Sequence, residues 1–192
     1  MNDAQIMDAL RQSGAIRTGH FQLTSGRHSD SYVQCARVLE NPALTTELAR
    51  EMVARLPEGC APNFVIAPAV GGIIIGFAVA QALGLPFVFS ERQEGVMVLR
   101  RAFEIPADAQ VLVVEDVVTT GGSVQEVIDL VDRAGASVVG VTSLIDRGGE
   151  KAFTASYYPL LQMQVESWLP EDCAQCAAGV PLDSPGSRRL GK

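Results

Sequence analysis

Lysine is nearly missing from this 192-residue chain. There are two, Lys151 and Lys192, against 13 arginines, and only two histidines, His20 and His28. Basic charge is also short, since the formal net charge is −7, which disfavours a duplex nucleic-acid binder with its basic face. No run is long and apolar enough to span a membrane. The longest, around Gly72–Ala80, is too short and too interrupted. The opening Met-Asn-Asp-Ala-Gln has neither a basic start nor an apolar signal core, so a cytoplasmic protein is expected. Cysteine is sparse too. Cys35 and Cys60 read as ordinary buried thiols. Cys173-Ala-Gln-Cys176 is a C-x-x-C that supplies half a zinc site, and no second C-x-x-C or H-x-x-H completes it. A structural or incidental role is therefore expected for that pair, and no residue is assigned as a direct metal ligand. Two phosphate motifs are absent as well, the Walker loop G-x-x-x-x-G-K-[ST] and the dinucleotide fingerprint G-x-G-x-x-G.

What is present is a chain 47% apolar, enough for one domain with a core. Asn2–Ser13 predicts a helix with Asn2 or Asp3 as cap, stopped by Gly14. Gly19–Leu39 predicts a pair of strands outside the main sheet. Asn41-Pro42 opens a second helix, with Pro42 in its first turn. From Asn63 onward short apolar strands alternate with helices: strand 64–67, helix 73–83, strand 86–90, strand 111–114, helix 122–134 and strand 137–145. That rhythm implies an α/β fold with a mainly parallel sheet covered on both faces. Ligands of such sheets bind at the carboxyl ends of the strands.

The most informative segment is Val111-Leu-Val-Val-Glu-Asp-Val-Val-Thr-Thr-Gly-Gly-Ser123. A buried strand ends in two carboxylates, and a hydroxyl- and glycine-rich turn leads into a helix. Thr119, Thr120 and Ser123 offer hydroxyl donors, while Gly121 and Gly122 let the backbone approach a ligand closely. The helix start presents free amides and partial positive charge to a phosphate. Glu115 and Asp116 suit the vicinal hydroxyls of a ribose and the waters of Mg²⁺. One segment can thus hold a ribose 5-phosphate at both ends. Arg147 is a candidate for a planar carboxylate, since a guanidinium matches one with two parallel hydrogen bonds. On the residues alone, an ion pair with Asp146 or Glu150 explains it as well.

Val111–Ser123 resembles the phosphoribosyl diphosphate signature of the type I phosphoribosyltransferases. Residues 1–182 are similar to the branch acting on orotate. Phe21–Arg27 with Ser31-Tyr32 resembles its N-terminal base-contacting segment, Ile66–Gly72 its pyrophosphate loop, Leu144–Arg147 its strand end carrying an arginine, and Cys173–Leu182 the ending of a subgroup. The resemblance implies a mainly parallel sheet flanked by helices with a small hood built from residues 1–40 and the C-terminal segment. Residues 183–192 would be a disordered tail. It implies transfer of phosphoribosyl from phosphoribosyl diphosphate to orotate in pyrimidine biosynthesis, with Mg²⁺ bound mainly through the diphosphate, by a homodimer with shared active sites. Glu115 and Asp116 would hold the ribose hydroxyls. Thr119, Thr120, Gly121, Gly122 and Ser123 would hold the 5-phosphate, with Val117, Val118 and Arg92 also in the phosphoribosyl diphosphate site. Val70 and Gly71 would approach the pyrophosphate, often through an unusual peptide bond in this family. Thr119 and Arg147 would contact orotate, with Tyr32 and Val33 flanking it.

The chain departs from the family pattern where lysines are usual. Those places read Thr24, Gly71 and Ser90–Gly95. Arg92 is the best substitute and joins Glu115 and Asp116 as a catalytic candidate, with Arg100 and Arg101 weaker. An arginine neutralises a leaving pyrophosphate but donates no proton readily. Two alternatives follow: a non-catalytic, regulatory sensor of phosphoribosyl diphosphate, or a phosphoribosyltransferase acting on a purine.

Overall fold

The computed structural model describes residues 1–23 and 25–185. The expectations for Thr24, and for residues 186–192 of the tail, lie outside the described residues.

The first helix, α1 (Asp3–Gln12), begins where its chemistry says it should. The Asn2 side chain accepts from the Gln5 amide and the Gln5 side chain accepts from the Asn2 amide, a reciprocal capping box. An antiparallel pair follows, β1 (Ile16–Gln22) and β2 (His28–Val33), forming its own two-stranded sheet. The expected strand pair thus starts earlier and ends sooner than Gly19–Leu39, because Ala36–Leu39 forms a helical turn, α2. In α3 (Pro42–Ala54) the Asn41 side chain caps the Leu44 amide and Pro42 occupies the first turn.

Six strands build the main sheet: β3 (Phe64–Pro68), β4 (Phe87–Gln93), β5 (Val96–Leu99), β6 (Gln110–Val118), β7 (Ser137–Asp146) and β8 (Tyr157–Gln162). Their order is β5-β4-β3-β6-β7-β8, all parallel except β5. Helix α4 (Gly72–Leu83) links β3 to β4, and α5 (Gly122–Arg133) links β6 to β7. Alternation along β6 explains the two-sided core. Val111 and Val113 face α5 with Val124, Val127 and Val131, while Leu112 and Val114 face α3 and α4 with Leu48, Met52, Ile75 and Val79.

The chain runs outward from β3 to β4, then returns to place β6 on β3's other side. The strand order therefore reverses between β3 and β6, and the crevice at their carboxyl ends is the expected ligand position. β6 runs four residues past the expected strand end. Glu115 pairs in register with Ser143 and Val118 with Asp146, so both carboxylates are strand residues.

The C-terminal segment returns to the hairpin. Beyond β8, a 3-10 turn (Pro170–Asp172) leads into α6 (Ala174–Ala177). Trp168 bridges to His28 and Asp183 bridges to Phe21. Asp183 also pairs with Arg17 at 3.0 Å, so it belongs to the folded unit and not to a tail. The expectation that Cys173 and Cys176 form half a metal site without a counterpart does not hold, because His20 and His28 of the hairpin converge on them.

Candidate active site

The segment from β6 to α5 folds as a cradle. Gly121, at φ +78°, makes the turn into α5, and a Cβ there would lie 2.4 Å from the Phe153 ring. Glycine is required on both counts, conformation and space. The first turn of α5 carries no acidic residue to compete with an anion. A pocket of about 350 Å³ opens here, lined by Glu115, Val117, Val118, Thr119, Thr120, Gly121, Gly122, Ser123, Arg92 and Glu126.

The two carboxylates sit at the floor of the crevice. Glu115 is 8% exposed, and burial pushes its carboxyl well above the usual range, with the neighbouring Asp116 charge adding to the rise. Burial raises Asp116 as well, while hydrogen bonding with the Glu115 carboxyl and the Val117 amide pulls it partly back. The buried Cys35 thiol is pushed up mainly by burial, then by the charges of Asp116 and Glu115, in keeping with an inert thiol. Among the described residues no cationic side chain pairs with either carboxylate. The nearby lysine and arginine, Lys151 and Arg92, pair with Asp146 and Glu126 instead. A buried acidic pair without a counter-charge is a site prepared for hydroxyl donors or a hydrated cation.

The loop after β3 meets this pair from the other side of the crevice. A Cβ on Gly71 would lie 2.6 Å from Asp116 Oδ2, and one on Gly72 3.2 Å from Glu115 Oε1. The Ala69–Val70 peptide is cis and Val70 is 82% exposed. Arg92 stands on the α5 side, its Nη2 2.8 Å from Glu126 Oε1 and its Nη1 2.9 Å from the Gly95 carbonyl. It shares the pocket of the Thr119–Ser123 turn and not the Val70-Gly71 loop.

Arg147 follows β7, its amide bonded to the Val118 carbonyl at 2.9 Å. Its Nε is buried without a partner, and burial lowers its pKa. The expected alternative partner Asp146 is taken by Lys151 Nζ at 2.6 Å. Tyr32 is close enough to influence Arg147 electrostatically, and its ring lies 5.6 Å from that of Phe21. Tyr32 also opens onto a separate cleft with Arg17 and Arg37. The Val33 side chain packs against the helical core, as strand alternation from Tyr32 requires.

Three neighbours escaped sequence reasoning. Lys151 Nζ donates to the carbonyls of Thr119, Gly148 and Gly149 and to Asp146, bracing the cradle from behind. Ala152 donates its amide to the Thr120 carbonyl at 2.7 Å, and Phe153 fills the space beneath Gly121. Of these, only Lys151 carried a signal, as one of two lysines in the chain.

Comparison with known proteins agrees with this geometry. The model of the phosphoribosyl transferase domain matches residues 35–171. The chain is 48% identical to the orotate phosphoribosyltransferase of Heliobacterium modesticaldum, over 98% of this chain and 100% of that protein. It is 48% identical to the orotate phosphoribosyltransferase of Chlorobium phaeobacteroides, over 99% and 98%. The crystal structure of orotate phosphoribosyltransferase from Aeropyrum pernix superposes with a TM-score of 0.72 at 23% identity, covering 82% of this chain and 93% of that one, a likeness of fold. The chain belongs to the phosphoribosyl transferase family, in its orotate phosphoribosyltransferase branch.

Proposed function

We propose that this protein transfers the 5-phosphoribosyl group from phosphoribosyl diphosphate to orotate, releasing pyrophosphate and forming orotidine 5-phosphate in pyrimidine biosynthesis. The observation that carries this reading is the crevice at the strand-order reversal. There an acidic pair, a phosphate cradle and a glycine loop pressed against Asp116 adjoin one another.

In the reaction a ring nitrogen of orotate, its N–H proton given up to water or to the leaving pyrophosphate, bonds to C1 of the ribose. The bond from C1 to the diphosphate oxygen breaks, and its electron pair leaves with pyrophosphate. Thr119, Thr120, Ser123 and the amides around Gly121 and Gly122 hold the 5-phosphate. Glu115 and Asp116 accept from the ribose hydroxyls, and their charge stabilises the positive sugar ring of the transition state. Burial raises the Glu115 carboxyl, and hydroxyl donors or a cation bound there favour its charged form. Arg147, with its unpartnered Nε, takes the orotate carboxylate, beside Thr119 and Tyr32. Val33 contributes backbone only. Val70 and Gly71 approach the diphosphate.

The hard oxygen donors of Glu115 and Asp116 would hold Mg²⁺ through its waters, and the ion would supply charge neutralisation at the leaving diphosphate. Arg92 assists at the cost of its ion pair with Glu126, an exposed pair of small worth.

We further read residues 1–182, extended by Asp183, as one phosphoribosyltransferase unit, with residues 1–40 and the C-terminal segment as its hood, which the bridges from Trp168 and Asp183 support. The protein works as a cytoplasmic homodimer. Ile74 and Phe77 are exposed apolar side chains one turn apart on α4, a surface suited to a second copy. No helix among the described residues is long and apolar enough to cross a membrane.

A steady-state assay with orotate, adenine, guanine and xanthine tests the reading. Pyrophosphate release with orotate alone is expected. Turnover of a purine and not of orotate overturns the specificity. Binding of phosphoribosyl diphosphate without turnover of any base identifies a sensor instead.

A further inference from the structure

The hood contains a second cluster of chemically active side chains, unconnected with the reaction. His20 lies on β1, His28 opens β2, and Cys173 and Cys176 come from the C-terminal return. Their ligand atoms all lie within 4.8 Å of one another. His20 Nε2 is 3.1 Å from His28 Nδ1, 3.4 Å from Cys173 Sγ and 3.6 Å from Cys176 Sγ. His28 Nδ1 is 3.2 Å from Cys176 Sγ.

These separations are those of a coordination shell. Metal–nitrogen bonds of about 2.0–2.1 Å and metal–sulfur bonds of about 2.3 Å, set tetrahedrally, put nitrogens ~3.3 Å apart and nitrogen and sulfur ~3.6 Å apart. The proton inventory points the same way. His20 Nδ1 lies 2.9 Å from the Val180 carbonyl, which fixes the tautomer and leaves the Nε2 lone pair aimed into the cluster. His20, His28 and Cys173 are buried, at 3%, 4% and 3% exposure. Two thiolates and two neutral imidazoles around a divalent ion sum to zero charge, so three of the four ligands can be buried without a counter-ion.

We propose that His20 Nε2, His28 Nδ1, Cys173 Sγ and Cys176 Sγ bind one zinc ion in a closed, structural site. Two sulfurs and two imidazole nitrogens in tetrahedral array select zinc among common divalent ions. Four protein ligands leave no open position for a substrate, so the ion holds structure and takes no part in the reaction. The need is physical. A two-stranded sheet is marginal by itself in water, and this one is tied down by the bridges at Trp168 and Asp183, with the cluster between them. The ion closes a loop of roughly 150 residues between hairpin and C-terminal segment, and removes that freedom from the unfolded chain.

The test is zinc content of the full chain purified without chelator under reducing conditions, with Co²⁺ substitution as second readout. About one zinc per chain is expected, and the Co²⁺ form should show tetrahedral ligand-field bands with thiolate-to-metal charge transfer. Cys176→Ser, at an exposed position, keeps the fold and should weaken zinc binding by more than about 100-fold, beyond what loss of an outer partner costs. It should also weaken the charge-transfer band. Zinc below a tenth of an equivalent, with no uptake from added Zn²⁺, overturns the proposal. So does unchanged affinity in Cys176→Ser. Thiol titration in denaturant separates the rival: four reactive thiols are expected, whereas two would identify a Cys173–Cys176 disulfide and overturn the site.

Discussion

Arg147→Met separates function from stability at a single residue. In the free protein the guanidinium is partly buried, its Nε lacks a partner, and burial lowers its pKa. A charge held this way costs stability. Each charge-assisted hydrogen bond to orotate contributes about 1.5–3 kcal/mol, and the pair adds less than twice that. Taking roughly 3–4 kcal/mol for the pair, kcat/KM for orotate should fall by about 10²–10³. The KM for phosphoribosyl diphosphate should hold, because the Thr119–Ser123 pocket is not lined by Arg147. Methionine keeps most of the packing and removes the stranded charge, so the ligand-free Tm should stay level or rise, by about 2–4 °C per kcal/mol relieved. Steady-state kinetics in both substrates and a thermal melt give the three numbers. A drop in orotate kcat/KM below about threefold refutes the assignment. A lower Tm with unchanged kinetics makes Arg147 a structural cation.

Other expectations follow from the same geometry. Glu115→Gln should abolish most activity yet raise the ligand-free Tm at neutral pH. A carboxyl whose folded pKa is raised adds stability below its unfolded pKa and loses it as pH climbs through the folded value, so the gain should vanish near pH ~4. Melts across pH 4–8 check the sign, and a loss of Tm at neutral pH contradicts it. Gly121→Ala combines a left-handed backbone, costing about 1–2 kcal/mol, with a clash against Phe153, so affinity for phosphoribosyl diphosphate should fall at least about tenfold by calorimetry. Lys151→Met frees the Thr119 carbonyl and leaves Asp146 buried and unpaired. It should weaken that same affinity and lower the Tm, both measurable on one sample.

Much of this was legible because local chemistry and tertiary need agree. The Asn2 and Asn41 caps mark α1 and α3, and the β6–α5 segment carries its own turn and phosphate chemistry. β6 read short because Glu115 and Asp116 look like the start of a loop. They stay in the strand through pairing with β7, a partner distant in sequence. β8 went unread because Pro159 interrupts its pattern, and an edge strand tolerates a proline that a central one does not. Lys151 bonds mainly to backbone carbonyls, which leave no pattern. His20 and His28 meet across a hairpin and join cysteines roughly 150 residues away, beyond any spacing rule.

The most direct measurement is a crystal structure with phosphoribosyl diphosphate, Mg²⁺ and orotate bound. The 5-phosphate should lie on the Thr119–Ser123 amides, with the ribose hydroxyls on Glu115 and Asp116 and the orotate carboxylate on Arg147. A phosphoribosyl group bound away from the β6–α5 turn contradicts the account.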